Sequence, residues 1–475
     1  MAVLGTTGLA ATADATPSLR LLSSDSSIEA FTYNGRAYID PPIFVASTGG
    51  TFRLDASRPD YGPWQLDQIG PDHTVLRSLP SDLFAPDRGL RHLFTVVVKD
   101  DGGSVFRRLR SDLCPGESVF ERINDDGPRD PTFPAIGCSL VFPFVRGLVY
   151  GIDDGWGLDP GLNFDLKASP GTYTVTIRFT RSYRRALAIA PDDASTRIEV
   201  VVQSEKHGGE RPPIDRPNPD PNPNPKRGAN QTRAARSVPI VTDPDPAYLP
   251  DLAALPAWDL ATETDGHHDR LTFAATVWNS GTTDLIVEGY RRSDSEVMDA
   301  FQYFLDQDGE VTGRAPVGEL RYHHANNHDH WHFQQFANYS LLAADQSTVV
   351  VSKKQSFCIY PTDIVDLTIP GASFDDPGYL GGGGLASSCG APDSVWIREV
   401  LVSGWGDTYV QSIAGQAFDI SALPNGTYYV AVTVNPTGRL YDRTTESDQE
   451  LRQIELGGVP GHRTVTAAPW NGITR

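Results

Sequence analysis

A chain of 475 residues exceeds what one hydrophobic core supports, since single cores stop growing near roughly 250 to 300 residues, so two domains are expected. With 39% apolar and 21% charged residues, 44 Gly and 37 Pro, the composition is globular and turn-rich, which excludes a disordered or collagenous chain; no run reaches the ~18 apolar residues of a membrane helix, so no membrane span is expected. Residues 238–475 carry 31 acidic and 13 basic side chains, so nearly all of the net charge of −20 belongs to the second half, a surface that repels nucleic acid and attracts cations or serves solubility alone.

Residues 1–15, MAVLGTTGLAATADA, are small and apolar and end in Ala13-Asp14-Ala15, the A-x-A form of a signal-peptidase site, and read as the remnant of an export signal. Export implies a secreted or extracellular protein and makes disulfides of the two cysteine pairs, Cys114 with Cys138 and Cys358 with Cys389; in a reducing compartment they would be buried thiols. Residues 16–203 read as an N-terminal β-rich domain of unknown role, with strands at FTVVVKD (94–100) and GTYTVTIRFTR (171–181). Within it YGPWQLDQ (61–68) and GIDDGWGLDPG (151–161) are aromatic and turn-rich, which suits a binding module or plain hairpin corners.

Residues 204–240 repeat Pro and Asn with almost no apolar side chains, cannot bury a core, and form an expected linker. Residues 241–475 form the second expected domain, with strands at 270–281, 337–344, 394–404 and 426–436. VMDAFQYFL (297–305) has the period for two helical turns. The fold class is mostly β: two β-sandwich-like domains joined by a Pro/Asn-rich linker.

Chemistry concentrates at HDHWHF, residues 328–333. On a strand His328, His330 and His332 share one face, with Asp329 and Trp331 on the other, and three imidazoles with open positions suit copper or zinc, which ligand count alone does not separate. His323 and His324, like His267 and His268, read as loop residues without a metal role, one of them available to support a ligand. Downstream, SKKQSFC (352–358) holds two of only six lysines against 34 arginines; lysine can lose its proton and act as a nucleophile where arginine cannot.

Taken in order, HDHWHFQQFANYSLL, SKKQSFCIY, GWGDTY (404–409) and NGTYYVAVTVNP resemble the catalytic domain of the lysyl oxidase family, which carries an H-x-H-x-H copper segment, a K-x-S-F-C stretch and a D-T-Y stretch ahead of an N-Y-x-L-x-V-x-V-N-P strand. The resemblance covers about residues 247–456. It implies a protein-lysine 6-oxidase-like copper amine oxidase: His328, His330 and His332 as copper ligands, with Lys354 and Tyr409 as precursors of a lysine tyrosylquinone cofactor. It further implies oxidative deamination of a primary amine or lysine-rich protein by molecular oxygen, releasing aldehyde, hydrogen peroxide and ammonia.

Lys353 is the rival lysine, but the K-x-S-F-C register favours Lys354. The general base is unassigned; Asp407 is the acid nearest Tyr409 in sequence. Family members also bind calcium near an L-P-D-L stretch and a late E-S-D run. Carried over, this implies Asp251, the Leu252 carbonyl, Glu446 and Asp448 as calcium ligands, although the asparagines that follow the E-S-D run in the family are Leu451 and Arg452 here. Animal members have a cysteine within the histidine segment where this chain has Asn327. Two other readings use the same residues: a zinc hydrolase built on the three-histidine site, or a non-catalytic metal-binding surface protein.

Overall fold

The computed structural model describes residues 16–133, 137, 138, 142–204, 238–266, 268–293, 295–324, 329–352, 355–372, 374, 388–411, 413 and 416–470. The export-signal remnant, nearly all of the expected linker, His267, His328, Lys353 and Lys354 lie outside them. The chain is mostly β, as expected, and falls into two compact units. The first comprises Met1–Ala56, Pro63–Leu140 and Val149–Ile214; the second comprises Asp215–Arg475 together with Ser57–Gly62 and Val141–Leu148. Two short stretches of the N-terminal half are thus grouped with the second unit, which the Pro/Asn-rich composition break does not signal.

In the first unit the largest sheet runs Val105–Leu113, Gly89–Lys99, Gly171–Phe179, Ser195–Gln203, Ser27–Tyr33, Arg36–Ile39, Phe164–Leu166. Alternation along Gly171–Phe179 puts Tyr173, Val175, Ile177 and Phe179 inside and threonines outside, as the period of two requires. Cys114 and Cys138 form a disulfide. Gly89 (φ +69°) sits against this corner, where an added Cβ would lie 2.4 Å from the Leu113 carbonyl oxygen, so only glycine serves there.

Among the described residues the second unit has three sheets. One runs Ser356–Phe357, His330–Gln334, Val311–His323, Val297–Leu305, Leu285–Arg291, Trp396–Leu401. A second carries Leu252–Ala254, His268–Asn279, Trp405–Tyr409 and Asp363–Ile364, and the third carries Thr348–Val351, Ala337–Ala343, Gly426–Val434, Gln449–Val459 and His462–Ala467. One core joins them, including Phe273, Leu320, Trp331, Phe333, Phe357 and Val430. Each such large apolar side chain contributes about 1.5 to 3 kcal/mol by leaving water.

The helical expectation for residues 297–305 is corrected: Val297–Leu305 is a strand inside the first of these sheets. Met298 and Ala300 enter the core, and buried Gln302 exchanges hydrogen bonds with the Tyr441 backbone in both directions. Strand partners on both sides override a short stretch whose apolar spacing fits either period. Among the described residues no helix is long and apolar enough to cross a membrane.

Candidate metal and amine site

His330 and His332 lie on the strand His330–Gln334, two residues apart and so on one face. Their ring centroids are 4.8 Å apart and the planes are inclined at 65°. Two imidazoles bonded at about 2 Å to one ion, with bonds at roughly 90° to 110°, would have centroids about 4.5 to 5 Å apart, so this pair fits a shared metal. Trp331, between them on the opposite face, is wholly buried; its backbone N–H donates to the Cys389 carbonyl and its indole N–H to the Ala391 carbonyl, each at 2.9 Å. Cys389 is bonded to Cys358, so one disulfide ties the histidine strand to the segment that follows Lys354.

The loop expectation for His323 is corrected. It ends the strand Val311–His323 directly opposite His330, and its ring stacks on His332 at 5.0 Å and 19°. His268, also expected in a loop, opens the strand His268–Asn279, with Nδ1 3.1 Å from Asp419. His324 lies just past its strand, Nε2 2.8 Å from Glu296. Among the described residues no group of three His, Cys, Asp or Glu side chains could hold a metal ion; His328, the third expected imidazole, lies outside them.

Lys354, likewise outside, is followed by the short strand Ser356–Phe357, which pairs with Phe333 and Gln334. Ser356 Oγ comes within 3.4 Å of His332 Nδ1. At the other end of this segment, the Tyr409 hydroxyl donates to the Cys358 carbonyl at 2.8 Å, and its ring meets Phe357 edge to face at 4.7 Å. One short stretch therefore touches a histidine of the expected copper set and the expected quinone tyrosine.

Beside the phenol are buried acids. Glu399 is fully buried; its Oε2 accepts from the Ile359 N–H at 2.9 Å, and its Oε1 has no hydrogen-bond partner among the described residues. Burial, reinforced by the charge of Asp407, holds the Glu399 carboxyl well above the usual carboxylate range. Burial, then Asp407 and Glu399, likewise push the Tyr409 phenol up, so it stays protonated and donates. Asp407 is buried as well. The sequence motifs do not single out Glu399, though they are not its only signal: it sits between Ile397 and Leu401, two core residues in phase with it on the strand Trp396–Leu401.

The residues implied for calcium are only partly together. Asp251 accepts from Arg443 at 2.7 Å and from the Thr444 hydroxyl at 2.9 Å, whereas Glu446 is exposed. The Leu252 N–H donates to Asp442, a residue the sequence did not point to. Asp442 Oδ2 and Asp448 Oδ1 are buried without hydrogen-bond partners among the described residues. Burial, then the charges of Asp448 and Asp251, push Asp442 up to about 7. Although all three are among the described residues, Asp251, Asp442 and Asp448 do not form a group that could hold a metal ion, and both Asp251 oxygens are already engaged by Arg443 and Thr444.

Neither a scan against protein-family models nor a search of curated proteins finds a match to this chain.

Proposed function

We propose that the second unit is a secreted copper amine oxidase of lysyl oxidase type, which converts primary amines or peptidyl lysine to aldehydes with molecular oxygen and releases hydrogen peroxide and ammonia. The observation that supports this reading is the path of residues 356–358, just after the K-x-S-F-C lysine in sequence, between His332 and Tyr409. His330 and His332, with His328, would hold copper, which supplies the redox chemistry that makes a quinone from Tyr409 and Lys354.

The chain's own groups then have definable tasks. Ser356 lies against the His332 ring nitrogen that would not bear the metal, and orients the imidazole. The Cys358 carbonyl fixes the direction of the Tyr409 phenol, while Phe357 covers the ring and keeps water from it. Glu399 anchors the Ile359 N–H, the other end of the peptide unit whose Cys358 carbonyl receives the phenol. The Cys358–Cys389 disulfide restrains both partners of the histidine strand and agrees with an oxidising compartment. The acidity of residues 238–475 favours approach of cationic amines at low salt.

The test is chemical. Copper-loaded protein should show quinone absorbance that a hydrazine removes, and digestion should yield a peptide in which Lys354 is crosslinked to Tyr409. Absence of both the crosslinked mass and amine-dependent peroxide would end the reading.

A further inference from the structure

The outer face of the large sheet in the first unit has a composition at odds with a protein of charge −20. Cross-strand register places Arg108, Val97, Thr176 and Arg197 in one row and Arg110, Thr95, Arg178 and Ser195 in the next. Lys99, Thr174 and Glu199 form a third row on the same face. Five cations therefore stand within three rungs, and Arg108, Arg110, Arg178, Arg197 and Lys99 are all exposed. Around the middle of this array the surface is hollow, with a volume of about 720 Å³ lined by Lys99, Arg178, Arg197 and the hydroxyls of Thr172, Thr174 and Thr176; Asp100, Asp101 and Glu199 add carboxylates at the same hollow.

Two rungs further along, at about 7 Å per rung, the same face changes character. Gln203 is followed across the sheet by Phe31, Tyr38 and Asp165, with Tyr33 and Arg36 in the adjoining row. Phe31, Tyr33 and Tyr38 are 47%, 69% and 57% exposed. Three large rings left in water on neighbouring strands form an apolar platform rimmed by Arg36 and Asp165.

We propose that this face binds an acidic polysaccharide laid across the strands, with its sugar rings on the aromatic platform and its carboxylates on the arginines. The chemistry selects that class. Cations answer the acid groups, and threonine hydroxyls and carboxylates donate to and accept from sugar hydroxyls. Exposed aromatic faces take the C–H side of a pyranose. A polyphosphate or nucleic acid would meet the arginines but also Asp100, Asp101 and Glu199, which have nothing to accept from a phosphate. The inference is independent of the oxidase reading, because none of these residues belongs to the second unit.

Affinity electrophoresis of the full chain through native gels containing polygalacturonate, dextran or polyphosphate tests it. Polygalacturonate should retard the protein in spite of its own negative charge, with retardation falling as salt rises. Arg178→Ser with Arg197→Ser, and separately Tyr33→Ala with Tyr38→Ala, should each weaken retention about tenfold by removing charge-assisted bonds or ring stacking. All four positions are exposed, and an unchanged melting temperature confirms that each pair leaves the fold intact. Equal retardation by dextran, retention by polyphosphate as strong as by polygalacturonate, or folded double variants that bind like the parent would overturn the proposal.

Discussion

The open sheet face of the first unit and the interior around Tyr409 in the second use ionisable residues in opposite ways. On the sheet face, arginine, lysine and acid all remain hydrated above a wholly apolar underside. In the second unit, Glu288, Glu399 and Asp407 are buried among aromatic rings. Burying a carboxylate is costly unless it is paired or keeps a proton, and the second unit uses both remedies. Glu288 is paired: Arg398 donates to Oε1 at 2.9 and 2.6 Å, and the Trp396 indole and the Tyr290 hydroxyl donate to Oε2. Glu399 keeps its proton. Charge on the open face can change at little cost to folding, whereas each buried acid is coupled to its surroundings.

That contrast can be broken most severely at the chemistry. Lys354→Arg retains the charge and Tyr409→Phe the ring packing, yet each should reduce amine-dependent peroxide to background; retained activity in either would exclude that residue as a quinone precursor. Next, Arg398→Met leaves Glu288 buried without its cation and should cost about 3 to 5 kcal/mol, read as a lower urea midpoint, and Glu288→Gln in the same chain should restore part of it. Replacing Cys358 and Cys389 by serine should cost roughly 3 to 4 kcal/mol on the loop-entropy model and lower the yield of crosslinked peptide in parallel.

Glu399→Gln sharpens the comparison through pH. The folded chain keeps a proton on Glu399 that the unfolded chain releases above its ordinary carboxylate range. Stability from this group is therefore complete at acid pH and declines as pH rises toward the folded value. The side-chain amide that replaces the carboxyl would still accept from Ile359 without that dependence, so the variant should match the parent near pH 4 and become progressively more stable than it by about pH 8. Thermal melts at both pH values would show it, and parallel curves would mean Glu399 does not carry the proton. The smallest effect is expected on the open face, where Arg178→Ser should change stability by no more than about 0.5 kcal/mol.

What the sequence reveals depends on whether a residue's partners are near it in the chain. Alternation in 171–179 and 426–434 marks strands because inward and outward positions are local information. The cysteine pairs are legible by spacing, and the imidazole row by its period of two. His323 is not, because only the hairpin register puts it opposite His330. Asp442 joins Asp251 and Leu252 across about 190 residues, and its neighbour Arg443 reaches the same Asp251. The spacing within Val297–Leu305 misleads because its neighbours, not its own periodicity, decide its conformation.

Trp331 gives the histidine strand a built-in optical gauge. Its indole is locked in the core with the Arg291 guanidinium 5.5 Å from the ring, and its peptide unit joins the two imidazole-bearing residues on either side. A paramagnetic ion arriving on those imidazoles would quench this emitter, while a closed-shell ion would leave it bright. Fluorescence titration would therefore discriminate between metals at this strand before any turnover is measured.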